Sequence, residues 1–95
     1  MAMHVGICEI TIRLHQIKSL KGKRQITQSV VKNLRNKFNV SAAEVDNLDD
    51  KTLFGLGLSS VSGSKKVIDR IFNGVLNYLE RDRRLDVEKF EQEYL

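Results

Sequence analysis

The 95-residue sequence predicts an α+β sandwich: four strands in one antiparallel sheet, with two helices on one face. Three observations predict it. Two long segments alternate apolar and polar residues with a period of two. Two others repeat apolar residues at helical spacing. The order of the segments is strand, helix, strand, strand, helix, strand, with no proline or low-complexity stretch to divide the chain.

The first strand is His4 to Leu14. Cys8, Ile10, Ile12 and Leu14 share one side, and Ile7, Glu9, Thr11 and Arg13 share the other. That alternation, rich in β-branched residues, marks a half-buried strand. A basic connection, HQIKSLKGK, follows. From about Lys23 to Phe38, Ile26, Val30, Leu34 and Phe38 recur every four residues, which gives an amphipathic helix. Lys37 falls near its apolar side, where its stem lies along the surface. Asn39 ends it, as a residue tolerant of the left-handed conformation. Val40 to Val45 is a short strand, and Asp46 to Asp50 a polar turn. Thr52 to Ser62 is the second long strand, with Phe54, Leu56 and Leu58 on one face and Gly55, Gly57 and Ser59 on the other. Glycines inside a strand weaken it unless something packs closely against them. Ser62-Gly63-Ser64 turns into the second helix, with either serine as cap. Its apolar face is Ile68, Ile71, Phe72, Val75 and Leu79, and it runs to about Arg81. Gly74 within it costs about 1 kcal/mol against alanine. Leu85 to Leu95 is either an edge strand, with Phe90 and Tyr94 on one face, or a frayed helix. Two such βαβ halves in one sheet make the ferredoxin-like arrangement, a single domain over residues 1–95.

Charge gives the functional lead. From Ile10 to Ala43 the chain carries eight Lys and Arg residues and no Asp or Glu, within a net charge of +4 and a pI near 9.4. Lys18, Lys21, Lys23 and Arg24 sit at the entry to the first helix, where the backbone already presents positive charge. Arg24, Gln28, Lys32 and Arg35 form a stripe on its exposed side, without acids at i+4 to pair with. Lys18, Lys21, Lys23, Arg24, Lys32 and Arg35 are therefore the expected contacts to the phosphates of an RNA. A solvated helix face is the competing explanation. The open sheet face, Ile7, Glu9, Thr11, Leu53, Gly55, Gly57 and Ser59, has no aromatic residue for base stacking. RNA contact is thus expected to be dominated by phosphate. That apolar, glycine-containing face suits instead a homodimer burying Val5, Ile7 and Leu53.

Catalysis has little support. His4 and His15 lack partners at metal spacing. Cys8 lies on the core side as packing. The acidic turn lacks the glycine and glutamate of a calcium loop. No cofactor or metal is expected. No apolar run reaches the ~20 residues of a membrane span, and the start lacks the pattern of a secretory leader. The lone cysteine suits a reducing cytoplasm. Met1 and Ala2 read as an extension before a start at Met3.

The segment Ser19 to Val45 resembles the small bacterial YlxP-like family, domain of unknown function 503. The resemblance is carried by Ser19-Leu20-Lys21, Lys23-Arg24, Leu34-Arg35-Asn36, Phe38-Asn39-Val40-Ser41 and Ala43-Glu44-Val45. It implies a ferredoxin-like fold. Members' genes often sit among translation and ribosome-maturation genes, which implies a role with RNA, with ribosomal RNA the candidate. Many members carry a Trp-Gln-Arg-like segment where this chain has Asp49-Asp50-Lys51-Thr52. Ferredoxin-like phosphatases of the acylphosphatase type hold phosphate after the first strand, where this chain has bases, but their motif is not matched here. A non-enzymatic role is expected.

Overall fold

A computed structural model describes residues 2–95. Its elements are β1 (His4–Leu14), α1 (Leu20–Lys37), β2 (Ser41–Asp46), β3 (Leu53–Ser62), α2 (Lys65–Glu80) and β4 (Leu85–Tyr94). The sheet order is β2-β3-β1-β4, and every neighbouring pair is antiparallel. This is the ferredoxin-like arrangement that the element order predicts. The last segment is a strand, because Leu85, Val87, Phe90 and Tyr94, which share a side across a bulge after Val87, pack against the core once paired to β1.

The core lies between the sheet and the helices. Cys8, Ile10, Ile12 and Leu14 of β1 meet Phe54, Leu56 and Leu58 of β3, and all pack beneath Val30, Leu34, Ile68, Phe72, Val75 and Leu79. The two helical faces have the predicted phase. Gly6 marks the closest approach of α2: a Cβ there would stand 2.5 Å from Ile68 Cγ2.

Several boundaries differ from expectation. Helix α1 begins three residues earlier, at Leu20, because Ser19 caps it: the Ser19 hydroxyl accepts from the Gly22 N–H at 3.1 Å. It ends at Lys37, with Phe38 extended, rather than through a left-handed Asn39. Among the described residues only Gln16 and Asn47 combine a side chain with positive φ. The reason is tertiary. The Phe38 ring packs edge-on to Tyr78, with centroids 6.1 Å apart, and lies against Gly74, where a Cβ would approach it to 2.9 Å. Gly74 thus has a packing purpose that offsets its helical cost. Lys37 Nζ sits 5.4 Å from the Tyr78 ring centroid, a cation–π contact at the predicted apolar margin.

The strand glycines are explained in the same way. A bulge between Glu44 and Asp46 adds one residue to β2. A Cβ on Gly57 would lie 2.9 Å from a Val45 methyl, and one on Gly55 would lie 2.6 Å from Asp46 Cβ. The side chains of β2 therefore lean across β3, and glycine makes room for them.

Candidate nucleic-acid interface

Helical geometry sorts the basic residues of α1. At ~100° per residue, Lys21, Arg24, Gln28, Lys32 and Arg35 fall within roughly an 80° arc. All five are exposed. From Lys21 to Arg35 the stripe is about 21 Å long. Lys18, also exposed, lies in the connection just before the helix. None of Lys18, Lys21, Arg24, Lys32 or Arg35 forms an ion pair among the described residues. The first turn of α1 holds no acid. The sequence thus identifies a continuous basic surface, and the structure adds Lys21 to its stripe.

Lys23 is the correction. It is 1% exposed and lies on the opposite side of the helix, in phase with Thr27, Val30 and Leu34. Its ammonium donates to the Asn47 carbonyl and approaches Glu44 Oε2 to 3.2 Å. That approach is an ionic contact outside hydrogen-bond alignment, since Glu44 Oε2 is buried without a hydrogen-bond donor. Lys23 is therefore turned away from any ligand of the stripe. It anchors the loop between β2 and β3. The i, i+4, i+7, i+11 spacing of residues 23, 27, 30 and 34 is the signal in the sequence that places it inside.

Arg35 has a double role. Its Nε and Nη2 donate to the Ala42 carbonyl at 3.1 and 2.7 Å. Strand β2 is an edge of the sheet, so this guanidinium covers a backbone acceptor that would otherwise invite another strand. Its charge stays without a carboxylate partner.

The proposed dimer residues are not brought together. Val5 pairs with Val61 at one end of the sheet, while Leu53 pairs with Arg13 at the other. Eight residue steps along extended β1 separate the two ends, about 26 Å. Val5 and Ile7 instead share the face with Val61, which is 50% exposed, and Val45, which is 54% exposed. The sequence reading missed both valines. Their exposure depends on the pairing of β3 with β1 and on the β2 bulge, which no local pattern encodes.

The fold fits the comparisons with known proteins. Residues 5–92 match the family described as "Protein of unknown function (DUF503)". This chain belongs to that family. It is 28% identical over 76 residues to the "Uncharacterized protein YlxP" of Bacillus subtilis (strain 168), a match covering 80% of this chain and 83% of that protein. A solved structure described as "Structural Genomics, protein YJCS" superposes with a TM-score of 0.52, covering 96% of this chain and 98% of the other at 7% identity. At that identity the likeness shows the fold alone.

In this DUF503 member, the segment Asp49-Asp50-Lys51-Thr52 builds a turn. The Asp50 carboxylate accepts from the N–H groups of Thr52 and Leu53 at 2.8 and 2.9 Å, and from the Thr52 hydroxyl at 3.1 Å. Those bonds, the backbone donors foremost, hold the Asp50 carboxyl below its ordinary range. Cys8 is buried, and burial above all pushes its thiol up to about 12, with Glu9 adding to the shift. It is therefore held as the neutral thiol, not the reactive thiolate. Among the described residues no group of three His, Cys, Asp or Glu side chains gathers to hold a metal ion. No helix is long and apolar enough to cross a membrane.

His15 ties the connection after β1 to the start of β4. Its Nε2 lies 2.8 Å from Asp86 Oδ2 and its Nδ1 lies 3.1 Å from the Arg83 carbonyl. The Asp86 bond first, and then the Arg83 carbonyl, raise its pKa above the ordinary imidazole value. A raised folded value means that the stabilisation is complete below the unfolded pKa and fades as pH rises through the folded one. The urea midpoint of the wild type should thus exceed that of Asp86→Asn at about pH 5.5, and the gap should narrow toward about pH 8.5. A gap that is constant or widens with pH would contradict the assignment.

Proposed function

We propose that this chain is a non-catalytic accessory protein that binds the phosphate backbone of structured RNA, with ribosomal RNA the expected target, in the cytoplasm. Lys18, Lys21, Arg24, Lys32 and Arg35 are the contacts, and Lys23 is excluded from the set. One observation carries this reading: five exposed cations without carboxylate partners line one side of α1 and its entry. On the open sheet face, across the molecule, Glu9, Glu91 and Glu93 fall on neighbouring strands. The protein is therefore polarised, and a polyanion meets attraction on one side only. The open face has no aromatic platform for base stacking, so the contact falls to the α1 side, which reads shape and phosphate.

The test is binding to a structured ribosomal RNA fragment across a salt series, followed by fluorescence anisotropy. The variant Lys21→Gln/Arg24→Gln/Lys32→Gln removes three charges that make no hydrogen bond or ion pair among the described residues. Its affinity should fall at least about tenfold, and the slope of log K against log salt should flatten by about two units. Lys65→Gln/Lys66→Gln, at the start of α2, should leave both unchanged. Equal loss in the two variants would reduce the effect to net charge and remove the site.

A further inference from the structure

We infer that the open face of the sheet is a docking surface for a basic amphipathic helix of another protein. The inference uses the open sheet face rather than the Lys21, Arg24 and Lys32 stripe, and the two surfaces meet at Arg35, which lines a cavity on that face.

Both helices pack on one face of the sheet, so the other face is left without a covering layer. A cavity of about 820 Å³ opens on it, lined by Ile7, Ala43, Val45 and Gly57 on its floor, with Arg35 at the β2 side and Glu9 at the β1 side. Glu9 borders this cavity and also a smaller one of about 190 Å³, lined by Ile7, Glu91 and Glu93. An apolar floor therefore runs directly into a carboxylate rim. The rim is set by strand pairing: Glu9 stands directly opposite Glu91, and Ile7 opposite Glu93. Like charges directly across a strand pair repel, so the free face carries an unfavourable term that a cationic partner relieves. Lys89 pairs with Glu91 at 2.9 Å, but Glu9 and Glu93 form no ion pair among the described residues.

This distribution selects the occupant. A second copy laid face to face brings carboxylates toward carboxylates, at a cost. The unpaired carboxylates of Glu9 and Glu93 disfavour a nucleic acid. The carboxylates do not gather to hold a metal ion. A helix with one apolar face and a flank of Lys or Arg matches both parts. Its apolar side covers Ile7, Ala43 and Val45 over the low floor at Gly57, and its cations reach Glu9, Glu91 and Glu93. A docked helix would also supply the missing third layer of an α/β/α sandwich.

The probe is an 18-residue leucine/lysine amphipathic peptide, with its leucine/glutamate counterpart as control, titrated into the ¹⁵N-labelled full chain at physiological salt. The lysine peptide should shift amides of Ile7, Glu9, Gly57, Glu91 and Glu93 and leave Lys21, Arg24 and Lys32 of α1 undisturbed. The glutamate peptide should shift none of these. In Glu9→Gln/Glu91→Gln/Glu93→Gln, affinity for the lysine peptide should fall at least about tenfold. Those positions are exposed, and the change relieves repulsion, so the variant keeps its fold, as an unchanged or higher urea midpoint would show. Because the chain has net charge +4, general attraction does not favour a cationic peptide. Shifts confined to α1, equal response to both peptides, full affinity in the triple variant, or a dimer in sedimentation that occupies this face would each overturn the inference.

Discussion

Replacing Lys23 by methionine should destabilise the fold by about 3 kcal/mol, although the position lies in a run of lysines and arginines on a helix. The ammonium is 1% exposed, reaches the Asn47 carbonyl and stands 3.2 Å from Glu44 Oε2. Removing one member of a buried ion pair leaves the other charge without compensation, at about 3–5 kcal/mol. The lower end applies here, because the Glu44 side chain is still 17% exposed. The loop carbonyl of Asn47 loses its donor in the same step. The double change Lys23→Met/Glu44→Met removes both charges and should recover most of the loss, since apolar replacements of a whole pair are often neutral. Urea midpoints for the two variants decide the matter. A loss below about 1 kcal/mol in the single variant, or no recovery in the double, would show that the pair does not hold the loop. RNA affinity gives a second discrimination. Folded Lys23→Met should bind as the wild type does, whereas Lys21→Gln/Arg24→Gln/Lys32→Gln should not.

Gly6→Ala should cost about 2 kcal/mol, a large effect for one methyl group. The new Cβ would lie 2.5 Å from Ile68 Cγ2 and 3.0 Å from Phe72 Cε2. Both neighbours are fully buried, so neither side chain has free volume in which to retreat. Ile68→Ala alone should cost about 2–5 kcal/mol through the cavity that it leaves. Combined, the two changes should cost clearly less than their sum, because the added methyl enters the vacated space. Additive losses in the double-mutant cycle would place the strain elsewhere.

Most of the fold is legible in the sequence because its signals are local. Period-two alternation in residues 4–14 and 52–62, and helical spacing in Val30/Leu34 and Phe72/Val75/Leu79, follow from backbone geometry within a short window. The burial of Lys23 is legible too, although charge points the other way: its phase with Val30 and Leu34 outweighs its side-chain type. The early start of α1 is likewise written in Ser19, a cap residue immediately before the helix.

Other features have no local signature. The residue that ends α1 is set by Phe38 docking at Gly74, on another helix. The bulge at Val45 is set by how β2 registers with β3. The separation of Leu53 from Val5, and the meeting of Glu9 with Glu91, depend on pairings across tens of residues.

The sequence by itself therefore determined the element order, the core faces and a basic stripe on α1. Each depends on residues within a few turns or pleats of one another. Only the tertiary structure decided which carboxylates the cations meet, since Glu44 reaches Lys23 and Glu88 reaches Arg13 from distant strands. It alone placed Glu91 and Glu93 beside Glu9 on the face away from the stripe. An ion pair or a shared surface is a relation between segments, and chain folding sets that distance.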